Sequence, residues 1–138
     1  MINFYSETDF KLLQETQIST WISSIISNEG FEEGEISYIF CDDEYLHKLN
    51  VDFLDHDTLT DIISFDNSIG KQLNGDIYIS VERVKDNSKT YSTIFTDELH
   101  RVIIHGVLHF CGFKDKSEAD AKTMRAKEEE SLSARKFN

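Results

Sequence analysis

The sequence predicts a layered α+β (α/β) fold: a small mixed sheet of about four strands packed with about five helices, one of them carrying His-x-x-x-His. Three observations predict it. Apolar residues recur at helical spacing in some stretches and alternate in others, and the two kinds are interspersed along the chain. Short turn segments separate them, with no proline, no repeat and no low-complexity linker. At 138 residues and 16.0 kDa the chain is long enough to bury a core and short enough for one domain, taken as residues 1–138.

Taken in order, residues 2–5 form a first strand. A helix over 15–28 follows, with Ile18, Trp21, Ile22, Ile25 and Ile26 on one face and Gly30 just past its end. Residues 36–41 alternate apolar with smaller or polar positions, the pattern of a half-buried strand. Asp42 or Asp43 caps a short helix carrying Tyr45, Leu46 and Leu49. Strands over 61–65 and 76–81 come next, joined by a turn-rich segment holding Gly70, Asn74 and Gly75. Residues 81–89 start another helix. Thr96 or Asp97 then caps a strongly apolar helix running to about residue 111. The last helix, 117–133, is charged on most faces. Ser117 with Asp120 resembles a capping box, and Met124 and Leu132 dock the helix on the body.

Composition excludes several classes. Hydrophobic content of 39% with 12% aromatic residues suits a soluble globular domain. No apolar run approaches the roughly 18 residues of a membrane span, and no basic amino terminus precedes an apolar stretch. A cytoplasmic protein without membrane contact is the expectation. Cys41 and Cys111 each sit among apolar neighbours and read as buried free thiols rather than a disulfide framework. The net charge of −12 argues against simple nucleic-acid affinity, but it is uneven. Residues 1–60 hold two lysines against 13 acids, whereas 61–138 hold 12 basic against 13 acidic groups. An acidic first half suits a basic protein partner, and the near-neutral second half has Arg101, Lys114, Lys116, Lys122 and Arg125 near its histidines.

The chemistry sits in that second half. His105 and His109 stand four apart in a helix, so both imidazoles lie on one face about 6 Å apart along the axis. One ion can reach both at about 2.0–2.1 Å. Polar groups in so apolar a helix need partners, and a metal supplies one for each ring. Gly112 can end the helix in a left-handed turn that swings Asp115 back as a third ligand. Three protein ligands with a fourth position open is the layout of a catalytic zinc. The spacing matches that of the metzincin proteases, His-Glu-x-x-His-x-x-Gly-x-x-His, except that Gly106 replaces the glutamate that acts as their general base. A metal-dependent hydrolase follows, with a metallopeptidase as its weakest form.

Three ordered blocks carry a wider resemblance. His105, Gly106, Leu108, His109 and Gly112, with Phe113 for tyrosine, resemble His-Gly-x-Leu-His-Leu-x-Gly-Tyr-Asp-His, the signature of the YbeY family of bacterial ribosomal-RNA maturation endoribonucleases. Leu49-Asn50 with the run Thr60-Asp61-Ile62-Ile63-Ser64-Phe65 looks like a second block of that family, and Asn74-Gly75-Asp76-Ile77 like a third. The resemblance spans nearly the whole chain. It implies a zinc-dependent single-strand endoribonuclease acting on ribosomal RNA (16S 3′-end maturation) and in ribosome biogenesis, with one Zn2+ per chain.

Two departures stand out. Asp115 occupies the place of the family's third histidine, and a carboxylate, harder than imidazole, admits other divalent ions. Leu54 stands where the family tends to carry an arginine, and Leu59 replaces a proline. Arg101, one turn before His105 on the same face, is the candidate electrostatic helper. No side chain is an obvious general base, although Asp61, Ser64 and Asp76 are expected near the site if the three blocks converge. The competing reading is a ribosome-assembly binding factor whose metal is mainly structural and whose acidic first half meets a basic ribosomal protein.

Overall fold

The computed structural model describes residues 1–56 and 58–137, with elements in the order β1 (Ile2–Ser6), α1 (Glu15–Asn28), β2 (Glu32–Cys41), α2 (Asp43–Leu54), β3 (Ile62–Asp66), β4 (Gln72–Ser80), α3 (Val81–Thr90), α4 (Phe95–Phe110) and α5 (Glu118–Ser133). The four strands make one sheet in the order β1-β2-β4-β3. β1, β2 and β4 run parallel, and β3 pairs antiparallel with β4 at the edge. This is the mixed four-stranded sheet with five helices that the hydrophobic periods predict.

Alternation along the central strands sorts side chains to two faces. Ile36, Tyr38 and Phe40 of β2, with Leu73, Ile77 and Ile79 of β4, face α1 and α4 in the main core. Cys41 and Ile63 face the other way, against Leu46 of α2. Tyr38 reaches across the main core, and its hydroxyl donates to the Ile103 carbonyl of α4 at 2.8 Å. Such a donor must be satisfied when fully buried.

The ends of elements follow local chemistry, with two main differences from the sequence reading. Asp42 caps α2 by accepting from the Tyr45 amide at 2.8 Å, while Asp43 accepts from Ser80 Oγ and Arg83 Nη2, both at 2.7 Å, tying α2 to α3. Neither Thr96 nor Asp97 caps α4. The cap is Ile94, without a side-chain bond, and Asp97 and Glu98 lie in the first turn, where acids complement the helix dipole. Asn74 and Gly75 belong to β4 rather than to a turn. The strand runs through Gly75 because a Cβ there would stand 2.3 Å from the Phe65 carbonyl oxygen and 2.7 Å from the Phe110 ring. Of the two cysteines, Cys41 is buried and Cys111 half-buried, and both are free.

A second seam joins α1, α4 and the chain's C-terminal segment. Trp21 Nε1 donates to the Ser131 carbonyl at 2.8 Å, and His100 packs between the rings of Trp21 and Phe137. Arg135 Nη1 stands 2.7 Å from His100 Nδ1, and since a guanidinium only donates, that nitrogen is an acceptor and the ring neutral. Burial and the Arg135 charge push its pKa down from 6.5 to about 4.

The unfolded chain therefore binds a proton that the folded one refuses between about pH 4 and 6.5. The neutral ring's contribution is complete above pH 6.5 and is lost on acidification toward pH 4, by up to roughly 3 kcal/mol. Urea midpoints measured across that window should fall less steeply for His100→Gln than for wild type. Equal slopes would contradict the assignment.

Candidate metal centre

α4 buries Leu99, Val102, Ile103, Ile104, Val107 and Leu108, and its fit on the sheet depends on Gly106. A Cβ at 106 would stand 2.9 Å from Ile77 Cδ1 and 3.2 Å from Ile62 Cδ1. Here the glycine is needed for close packing. His105 and His109 project from the flank of the same helix, half-buried, with ring centroids 4.6 Å apart.

The helix stops in a paired reverse turn. The Gly112 amide donates to the His109 carbonyl at 2.9 Å and the Phe113 amide to that of Leu108 at 3.1 Å, with Gly112 at φ +100°. These two bonds are the Schellman closure that glycine permits. The chain turns back, and Asp115 Oδ2 comes 3.2 Å from His105 Nε2 and 3.4 Å from His109 Nε2. One ligand atom from each of the three residues lies within 4.8 Å of the others.

The spacing fits an ion. Two donors each about 2.0–2.1 Å from a tetrahedral centre stand roughly 3.3–3.4 Å apart. The two distances from Asp115 bracket that value. A set of two imidazoles and one carboxylate suits zinc, and the carboxylate also admits harder divalent ions. The sulfur of Cys111 is not part of the group, and burial pushes that thiol up to about 12.

Above the three residues lies a cleft of about 610 Å³. Its lining includes Thr60, Asp61 and Ser64 from the β3 side, Asn87 and Tyr91 from the α3 side, and Arg101 and Arg125 from α4 and α5. The first and second sequence blocks thus converge on the histidines. Asp76 does not, being in register with Ser37 and Phe65 inside the sheet and outside the cleft lining. Burial holds the Asp61 carboxyl above its ordinary range although His105 pulls it down. Leu54 ends α2 half exposed and takes no part in the lining.

Arg101 reaches the cleft already engaged. Its Nη1 donates to Glu128 Oε1 at 3.1 Å and its Nη2 to Glu129 Oε1 at 2.6 Å. Arg125 is far more exposed, with a longer contact of 3.8 Å to Glu128 Oε1. Glu128 is the functional residue that sequence reading missed. The residue is only 5% exposed, with Oε2 2.7 Å from His105 Nδ1. Burial alone would lift its pKa, but hydrogen bonds from His105 and Arg101 hold it below the usual range. For His105, burial pushes the pKa down, and the bond to Glu128 with the charges of Glu128, Asp115 and Asp61 raises it overall. A signal existed: Glu128 lies one turn after Met124, on the face by which α5 docks.

Known proteins resemble the chain along nearly its whole length. The sequence model of the family described as Endoribonuclease YbeY matches residues 2–136. The chain belongs to the endoribonuclease YbeY family. It is 58% identical over 132 residues to the endoribonuclease YbeY of Flavobacterium johnsoniae, covering 96% of this chain and 95% of that one. Against the Christiangramia forsetii YbeY the identity is 58% over 131 residues, covering 95% and 92%. The solution structure of TM1509 from Thermotoga maritima superposes with a TM-score of 0.71 at 25% identity, over 96% of this chain and 87% of that one. The YbeY match therefore takes in every element from β1 to α5, including the helix that supplies Glu128.

The close fit at Gly106 makes a graded test. Gly106→Ala should be mildly destabilising, because a helix-propensity gain of about 1 kcal/mol offsets only part of the crowding against Ile77 and Ile62. Gly106→Val should cost about 1–3 kcal/mol in urea unfolding by overpacking. A valine variant as stable as wild type would contradict the packing described.

Proposed function

We propose that residues 1–138 form a single metal-dependent hydrolase domain, a zinc-dependent endoribonuclease whose ion is held by His105, His109 and Asp115. Membership of the YbeY family makes the chain an endoribonuclease, a hydrolase that takes part in ribosomal RNA processing. The observation that carries the metal reading is the convergence of three donor atoms within 4.8 Å of one another, with Asp115 Oδ2 3.2 and 3.4 Å from the two imidazoles, on a cleft of about 610 Å³. Zinc bound there supplies Lewis acidity and lowers the pKa of water to about 7.

The chain's own residues do the rest. His105, His109 and Asp115 would hold the ion at the cleft they line and leave it room for a further ligand. Arg125, exposed on the cleft wall, is placed to attract phosphate oxygens, while Arg101 stabilises the acidic side of the wall. Tyr91, 66% exposed on the same cleft, presents a ring on which an unpaired base can stack. That favours single-stranded RNA, and the substrate region we assign is the 3′ end of 16S ribosomal RNA. Asp61, whose carboxyl burial raises above its ordinary range, lines the cleft and is positioned to exchange a proton there.

The acidic first half is assigned to a basic ribosomal protein that brings the enzyme to its substrate. No helix among the described residues is long and apolar enough to cross a membrane, and a cytoplasmic location fits work on ribosomes. Peptide hydrolysis is disfavoured, because Gly106 stands where a metalloprotease carries its general base.

Protein purified without chelator should carry about one zinc per chain by elemental analysis, and His109→Ala should lose it. Asp115→Asn should fold as wild type does yet cut single-stranded RNA on the order of 100-fold more slowly. Chelator should abolish cleavage and added zinc restore it. Wild-type protein that takes up no zinc when offered it would contradict the mechanism.

A further inference from the structure

We propose that Glu128 is the positioning residue of the metal centre: its carboxylate fixes the ring and the tautomer of His105, and Arg101 fixes Glu128. The inference rests on the reading of His105, His109 and Asp115 as metal ligands. It adds a residue from a different helix that touches neither ion nor substrate.

The geometry leaves the carboxylate with two separate tasks. One oxygen, Oε1, accepts from Arg101 Nη1 at 3.1 Å, and the other, Oε2, meets His105 Nδ1 at 2.7 Å. An ionised carboxylate only accepts, so the proton lies on Nδ1. The lone pair of the neutral ring is then on Nε2, the nitrogen that stands 3.2 Å from Asp115 Oδ2. Glu128 thereby selects the tautomer that can ligate and aims it. A carboxylate on Nδ1 would also make the imidazole a stronger ligand through Nε2.

Arg101 is the other half of the device. Its side chain is 16% exposed and bridges Glu128 to Glu129, with Glu98 Oε2 at 4.0 Å from Nε. Arg101 and His105 lie one turn apart on α4, so the carboxylate from α5 is gripped from two points on one helix face. Docking alone needs only the Arg101 contact. The second oxygen, spent on the ring nitrogen that points away from Asp115, is what docking does not require.

The test uses the full chain. Zinc affinity is measured by competition with a chromophoric chelator at fixed pH, alongside urea unfolding of the metal-free proteins. Glu128→Ala should bind zinc about 10–100-fold more weakly than wild type, with Glu128→Gln between the two. In ¹⁵N–¹H spectra of the zinc-loaded wild type, the His105 Nδ1 proton should be present and protected from exchange with water.

A Glu128→Ala variant with wild-type zinc affinity overturns the proposal and leaves Glu128 a docking ion pair. Should that variant fail to fold, the wild-type spectrum decides. Zinc on Nδ1, or an Nδ1 proton that exchanges as fast as that of an exposed ring, overturns it equally. Failure of the underlying site looks different: wild type takes up no zinc, or His109→Ala takes up as much as wild type.

Discussion

An imidazole set among apolar side chains must find a partner for each ring nitrogen, because a buried polar group left bare costs free energy. His105 meets that demand in two directions. Nδ1 is taken by Glu128 of α5, and Nε2, beside Asp115 beyond the turn that closes α4, would be taken by the ion. The first contact joins the Arg101–Glu128 pair in holding α5 to α4; the second brings Asp115 back past the turn at Gly112. Two segments of the C-terminal third meet at this one ring.

The helix that carries the ring is itself constrained on its opposite side. Gly106 lets α4 settle onto Ile77 and Ile62, and the Tyr38 hydroxyl bonds the Ile103 carbonyl from beneath. Packing so close fixes the rotation of α4 about its axis, since a dense interior tolerates little shift. With the rotation set, His105 and His109 are held at the cleft rather than in the core or in open solvent. Stability and site geometry are in this sense one requirement, expressed on two faces of the same helix.

Most of the fold was legible because its signals are periodic. Alternation in β2 and the spacing of Ile18, Trp21, Ile22, Ile25 and Ile26 in α1 survive intact in the buried core. The reading of Asn74 and Gly75 as a turn failed because glycine is common in turns, whereas here it answers to a close approach of Phe65 and Phe110 from distant sequence. The cap of α4 was placed at Thr96 or Asp97 because their side chains can cap, yet the chain begins that helix at Phe95 with no side-chain cap. The three residues of the candidate site were visible as a spacing. Glu128 was not, because α5 is charged on most faces, and its place one turn after Met124 says that it faces the body without saying which group it meets there. Arg101 was legible as a cation near the histidines, but not the acids that hold it.

The central claim is that one ion sits between two rings of α4 and the carboxylate beyond its end. Anomalous diffraction at the zinc edge, from crystals grown with zinc, tests it most directly. The account predicts a single peak about 2 Å from His105 Nε2, His109 Nε2 and an Asp115 oxygen, with its fourth position facing the cleft. A peak elsewhere, or one that takes Glu128 as a ligand, would contradict it.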